Sequence, residues 1–530
     1  MASGGSSALN FCAWTKPHIT DVDAWEKLGN PGWNWELFQR HALRVESFTA
    51  ATKDQLAEFP KIHHNIASAG RDGPIQTTVP YMHTAVDRLF MDTLDNLGVP
   101  DSHDPYNGNV NGKWICTNIL DRKNKWTRSY AATAYYLPNK DKPNLKVLTS
   151  AQVSKILFSD VKDGEDIVAT GVEFIFEGKK YVVYANKEVI LAAGTKISPA
   201  ILERSGIGRK DILDKIGVPV KVNLPGVGEN VQDHIYAGQS TSRNVRTAEA
   251  DSLLIAISYE LKPQEGLTTF DILQDPEFAK EQARLQELDK KNMHRMGITS
   301  ISYHPLRELF PDYTDKYYEG VASTVADAKK SNTLAPGLEE QYNIQLQIQH
   351  NDAPDFELIA LPAFLTYLAC NMPPAPIHWS YLKSTRTPSK IRTVSDLTTF
   401  DLEVLNPHAR IDLEILVKGF RFIRRMAETE PFKSGIVREV DPGVDQTSDE
   451  QLRDYIRKTA STVHHPIGSL SMLPREKNGC VDTKLKVYGT KNVRVADISV
   501  VPLHVASHTQ SVAYVLGDIL GDILKTGCLE

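Results

Sequence analysis

Between Val189 and Ala193 the residues are apolar without interruption, and Gly194 follows at once. An unbroken apolar run this short predicts a parallel strand covered on both faces and ended by a tight turn. Parallel strands need crossover connections and helices, so the run commits the chain to an α/β arrangement with ligand chemistry at the carboxyl ends of its strands. A second unit of this kind closes the sequence. Val493 to Asp497 reads as a short strand, and QSVAYVLGDILGDILK then places Val512, Val515, Leu516, Ile519, Leu520 and Ile523 on one helical stripe. With 530 residues the chain exceeds what one hydrophobic core supports, so two or more interlocked domains are expected.

Other segments fill in the plan. Asn34 is a helix N-cap ahead of Phe38, Ala42 and Val45, and a second amphipathic helix is expected from about His83 to Leu97. From Asn144 the period shortens to two, through Val147, Thr149, Ala151 and Val153, and a hairpin is expected about Glu177 and Gly178. Residues 236–463 are less regular. Polar helix-like stretches and a more apolar middle predict helices mixed with an antiparallel sheet, in a separate domain facing the substrate. Trp379 and Tyr381 there read as packing residues.

Charge and cysteine usage exclude several classes. A net charge of −6 provides no basic field for a phosphate backbone, so no nucleic-acid partner is expected. The five cysteines are widely spaced, which points to reduced thiols and no metal site. Leu358 to Cys370, the longest apolar stretch, is interrupted by Pro362 and is too short for a membrane span. The first residues carry no signal-peptide pattern and no Asn-x-Ser/Thr sequon occurs, so a cytoplasmic location is expected.

Candidate chemistry sits near the end of the chain. His465 in VHHPIGS and His508 in SHTQSVAY lie in turns, where functional residues concentrate, and imidazoles suit removal of a hydroxyl proton near neutral pH. His464 and His504 are weaker candidates. PGVGENVQDH lacks the third glycine of a dinucleotide fingerprint and reads as a tight loop in which Asn230 and Asp233 make local turns.

GGSSALNFCAWTKPHITDVD, GTKISPAILERSGIG, GVGENVQDH, HHPIGS, VRVADISVVP and HTQSVAY, in this order along the chain, resemble the glucose-methanol-choline (GMC) oxidoreductase family, and the likeness covers nearly the whole chain. It is nearest to fungal aryl-alcohol oxidases and secondary-metabolite dehydrogenases. The resemblance implies a small-molecule alcohol substrate, hydride transfer to FAD, His465 as the base that takes the alcohol proton, and His508 as the residue that helps hold the alkoxide. It further implies flavin contacts at Gly5, Ser6 and Asn10, at the backbone of Val153, at Asp497, and at Thr509 and Gln510. It divides the chain into FAD-binding segments at 1–75, 141–235 and 464–530, a lid segment at 76–140 and a substrate domain at 236–463.

The sequence departs from the family in one respect: it starts inside the first signature, without the GxGxxG βαβ unit that holds the FAD pyrophosphate. The expected fold class is therefore mixed α/β, a GMC-like FAD-binding domain without its first βαβ unit plus a substrate domain with an antiparallel sheet and helices. An open sheet edge and weak FAD binding by this chain alone are expected. Three readings stay open: a fragment of a flavin-dependent alcohol oxidoreductase, a flavin-independent acid-base enzyme (isomerase, dehydratase or cyclase) using the same histidines, or a remnant completed by another chain.

Overall fold

A computed structural model describes residues 4–62, 66–159, 165–237, 258–261, 272–273, 275–295, 297–332, 334–350, 353–360, 381–384 and 409–529. The elements that position the site are, in chain order, α1 (Trp35–Val45), α2 (Ala85–Asn96), β1 (Gly112–Ile115), β2 (Gln152–Phe158), β3 (Ala169–Phe176), β4 (Lys179–Tyr184), β5 (Val189–Leu191), β6 (Ile235–Ala237), β7 (Ser300–His304), β8 (Phe356–Ala360), β9 (Tyr381–Ser384), α3 (Ala409–Ala427), β10 (Ala460–Thr462), β11 (Val493–Val495) and α4 (Gln510–Thr526).

The expected local signals are present. Asn34 caps α1 by accepting the Leu37 N–H at 3.2 Å. Thr84 and Asp87 form a reciprocal capping box that starts α2 two residues after the expected position. The hairpin of β3 and β4 turns at Glu177 and Gly178, both at positive φ. In α4 all six residues of the apolar stripe are buried, and Gly527 ends the helix in the left-handed region.

Three assemblies of strands matter here. β5 and β11 form a parallel pair with Val189 opposite Val493 and Leu191 opposite Val495. β2, β3 and β4 form an antiparallel meander, and the order β9-β8-β7-β1 makes a four-stranded antiparallel sheet. That last sheet agrees with the antiparallel sheet expected between 236 and 463, although β1 joins it from residues assigned by sequence to the lid.

Two expectations need correction. Val189 and Leu191 are buried but Ile190 between them is 40% exposed, so the described residues cover β5 on one face rather than both. Successive strand residues point to opposite faces, and an apolar run by itself does not supply the second covering layer. The alternation from Asn144 also fails as a strand signal before Gln152. Residues 144–151 have no strand partner, and Val147 and Leu148 are exposed. Trp379 and most of the apolar stretch beginning at Leu358 lie outside the described residues.

Two large apolar clusters form the interior. One joins Trp14, Trp25, Phe38, Leu191, Val493, Val515 and Ile519. The other joins Phe90, Leu94, Phe356, Leu358, Phe420 and Ile423. A smaller cluster of Trp114, Ile301, Tyr303 and Ile359 belongs to the four-stranded sheet. Alternation along β8 puts Phe356 and Leu358 into the second cluster and turns Glu357 toward the side of Ile359. Among the described residues no helix is long and apolar enough to cross a membrane.

Candidate active site

The loop after β10 owes its shape to a network that reaches far along the chain. β6 pairs with β10, with Ile235 opposite Thr462, which brings Asp233 and His234 beside residues 463–467. His464 adopts φ 61°, an uncommon left-handed conformation for a side chain of this size, and the turn it makes sets His465 apart from the strand. The Asp233 carboxylate accepts the His465 backbone N–H at 3.1 Å and the Thr462 hydroxyl. On the other side of the loop, Thr195 donates its hydroxyl to the Pro466 carbonyl at 2.6 Å. Asp233 is therefore a long-range anchor and not the local turn residue expected from sequence. Burial pushes its carboxyl up to about 7, opposed by the hydrogen bonds from Thr462 and from the backbone of His465 and His234.

His508 arrives from the opposite direction. The segment from Gly4 to Thr15 runs along the start of α4: Thr15 accepts the His508 backbone N–H at 3.1 Å through its hydroxyl, and its carbonyl accepts the Ser511 hydroxyl at 2.7 Å. Farther back, the Ala506 N–H donates to Asp21 at 2.8 Å and the Trp25 indole donates to the Leu503 carbonyl at 3.1 Å. With both loops held, the His465 and His508 rings lie 5.2 Å apart between centroids, inclined at 53°. The two histidines singled out by sequence meet.

A carboxylate completes the pair. His508 Nε2 lies 2.9 Å from Oε1 of Glu357, whose side chain is fully buried. Tyr303, directly opposite Glu357 in the register of β7 and β8, stacks on Trp114 with centroids 5.2 Å apart. Burial and the neighbouring Glu357 push the Tyr303 phenol well up, so it stays protonated. Two further histidines surround His465. His234 Nδ1 stands 3.0 Å from His465 Nδ1, and His504 Nε2 stands 3.0 Å from the His465 carbonyl oxygen. Sequence reading missed Glu357 and His234 and ranked His504 low.

The remaining candidates fall into two groups. Gly5 and Ser6 open a short helical turn, Gly5–Ala8, and the Ser6 carbonyl accepts the N–H groups of Leu9 and Asn10 at 3.0 Å. Asn10 donates to the Gln510 side-chain oxygen and accepts from Arg128 at 2.7 Å. Thr509 is the N-cap of α4 and gives no side-chain cap, so the first turn of that helix keeps backbone N–H groups for another partner. The Gln510 amide nitrogen is buried with no hydrogen-bond partner, and a Cβ added at Gly5 would meet no atom within 4 Å. These residues form one cluster beside His508.

Asp497 and Val153 lie elsewhere in the same core. Asp497, at the carboxyl end of β11, accepts the Gly194 N–H at 2.9 Å, the Ser198 hydroxyl at 2.6 Å and the Ser499 N–H at 2.9 Å, tying the ends of β5 and β11 together. Val153 stands on β2 opposite Phe174 and packs against the first apolar cluster.

Comparison with known proteins bears on the family and the fold. The N-terminal family model of GMC oxidoreductases matches residues 1–236 and the C-terminal model matches residues 388–517. The GMC oxidoreductase family protein Mala s 12 of Malassezia sympodialis is 32% identical over 541 residues, covering 98% of this chain and 78% of its own. Dehydrogenase citC of Monascus ruber is 28% identical, covering 99% of this chain and 83% of its own. Among solved structures, a fungal aryl-alcohol oxidase superposes with a TM-score of 0.79 at 23% identity, over 98% of this chain and 85% of that one, which is a likeness of fold.

Proposed function

This chain belongs to the GMC oxidoreductase family, FAD-dependent oxidoreductases acting on CH–OH donors, and from that premise we propose that His465 is its catalytic base and His508 the partner that steadies the substrate oxygen. One observation carries the assignment: the two imidazoles approach to 5.2 Å although they come from separate loops. Rings at that spacing can both reach one alcohol oxygen seated beside the pair.

The residues beside them suit the cofactor. Gln510 offers an unpartnered buried amide donor, α4 offers the N–H groups of its first turn, and Gly5 leaves open space along the same loop. Gly5, Ser6, Asn10, Thr509 and Gln510 would hold the flavin ring. Asp497 and the backbone of Val153 would hold the rest of the molecule. The electron acceptor for the carbinol hydride is what FAD supplies when bound. Positive charge at the start of α4 favours negative charge arising on a ligand there.

The protein's own share is proton management. His465 takes the hydroxyl proton, so the O–H bond breaks as an N–H bond forms on imidazole and the alkoxide is released to lose hydride. His508 lies across from it: a proton on Nε2 is donated to Glu357, which fixes the plane of the ring, and a proton on Nδ1 is what would bind the alkoxide. We further place the substrate among apolar or aromatic primary alcohols and the reaction in fungal secondary metabolism. Likeness to the aryl-alcohol oxidase fold and to the Monascus dehydrogenase supports that placement.

The test is direct. The chain is purified with FAD, and 4-methoxybenzyl alcohol is added without oxygen. Bleaching of the flavin band with one aldehyde formed per flavin is expected; an unchanged spectrum across a panel of apolar and aromatic alcohols would refute the assignment.

A further inference from the structure

We infer that His234 is a positioning residue that fixes the tautomer of His465, so that the base carries its lone pair on Nε2 before substrate arrives. The inference rests on the role proposed for His465 and deepens it. His234 Nε2 lies 2.9 Å from the Val505 carbonyl oxygen, an atom that can only accept. The proton of a neutral His234 is therefore on Nε2, and its Nδ1 holds the lone pair. That lone pair faces His465 Nδ1 at 3.0 Å, so the proton between the rings belongs to His465. His465 is left as the Nδ1–H tautomer.

The surroundings keep His234 neutral. It is 2% exposed, and its ring centroid is 3.7 Å from that of His504. His504 Nε2 donates to the His465 carbonyl at 3.0 Å, and its Nδ1 accepts the Val505 N–H at 2.9 Å, the nearer of two Val505 contacts, so His504 also holds a single proton. A charge on either ring would press on the other at close range. Among the described residues, the ionisable groups that bear on this cluster include Asp233 from the same segment, His464 and His465 from the loop after β10, Lys196 from the loop after β5, and His508 from the start of α4 with Glu357 of β8 behind it.

The arrangement also serves the proton-transfer step. When His465 Nε2 takes the alcohol proton, the imidazolium keeps its Nδ1–H on His234, and that hydrogen bond becomes charge-assisted. A proton passed to His234 Nδ1 would have nowhere further to go, because the Nε2–H of that ring is held by a backbone carbonyl, which cannot take a proton. His234 thus raises the basicity of His465 without being a relay, in the manner of an outer partner that orients a metal-bound histidine.

Nitrogen-15 NMR of histidine-labelled protein tests this without turnover, with His465→Gln used to assign the signal. His465 is expected as the Nδ1–H form; finding its proton on Nε2 would overturn the inference. A second arm uses the FAD-loaded enzyme. His234→Leu should slow flavin reduction by about 10- to 100-fold at little cost in alcohol KM. It should also move the acidic limb of the kcat/KM profile to lower pH, and His234→Asn, which keeps an acceptor near Nδ1, should recover much of both. An unshifted profile in His234→Leu would contradict the inference alone. Full activity in His465→Ala would instead remove the reading on which it rests.

Discussion

Nε2 of His508 donates to a carboxylate oxygen of Glu357 at 2.9 Å, across 151 residues of sequence and from a strand whose other face is core. A fully buried carboxylate in this position does more than orient a ring, because its negative charge would also balance positive charge on the ring proposed to hold the substrate oxygen.

Glu357→Gln keeps an acceptor and removes the charge. Flavin reduction by 4-methoxybenzyl alcohol is expected to slow by about tenfold. Glu357→Leu, which strands the His508 N–H, is expected to slow it by about a further tenfold. Stopped-flow rates at saturating alcohol check both. Wild-type rates in both variants would separate Glu357 from the chemistry.

Asp233 makes stability depend on pH. Its folded carboxyl is raised from 3.8 to about 7, so between these values the folded state holds a proton that the unfolded state has lost. Stability should therefore fall as pH rises from about 4 to about 7, by an amount on the order of 4 kcal/mol, and then level off. Asp233→Asn cannot ionise and should lack this slope. Denaturant midpoints of both proteins across that range give the comparison, and parallel curves would refute the prediction.

Lys16 and Glu46 form a buried ion pair at 2.7 Å, with 0% and 1% of their side chains exposed. Glu46 also accepts the Trp14 indole and, at 2.9 Å, the Gly70 N–H, so it anchors the segment that carries Asn10 and Thr15. Lys16→Met leaves that charge unpaired and should destabilise the protein by about 3 to 5 kcal/mol. Adding Glu46→Gln should restore a large part of the loss, as a double-mutant cycle in urea would show.

How far these features were legible depended on where their causes lie in the chain. The last helix could be read because a six-residue stripe at helical spacing has one way to be buried, and all six side chains are buried. His465 and His508 could be proposed because they sit in polar turns, and the family motifs then paired them. Glu357 could not be found that way. In FELIA it is one polar residue inside an apolar strand, and its contact with His508 comes from a segment 151 residues away. His234 stood in a segment read as a local loop, whereas its partner His465 is 231 residues distant. Ile190 and Val147 show the converse limit: an apolar run or an alternation states a preference for burial, and the covering surface must come from elsewhere in the fold.

The central claim, that His465 removes the alcohol proton, is tested most directly by anaerobic single turnover. FAD-loaded wild-type protein and His465→Ala are each mixed with saturating 4-methoxybenzyl alcohol, and bleaching of the flavin band is followed. With flavin content unchanged, the variant should bleach slower by about 10²- to 10⁴-fold, and more alkaline solution should recover part of the loss by ionising the alcohol. Bleaching at the wild-type rate in His465→Ala would contradict the claim.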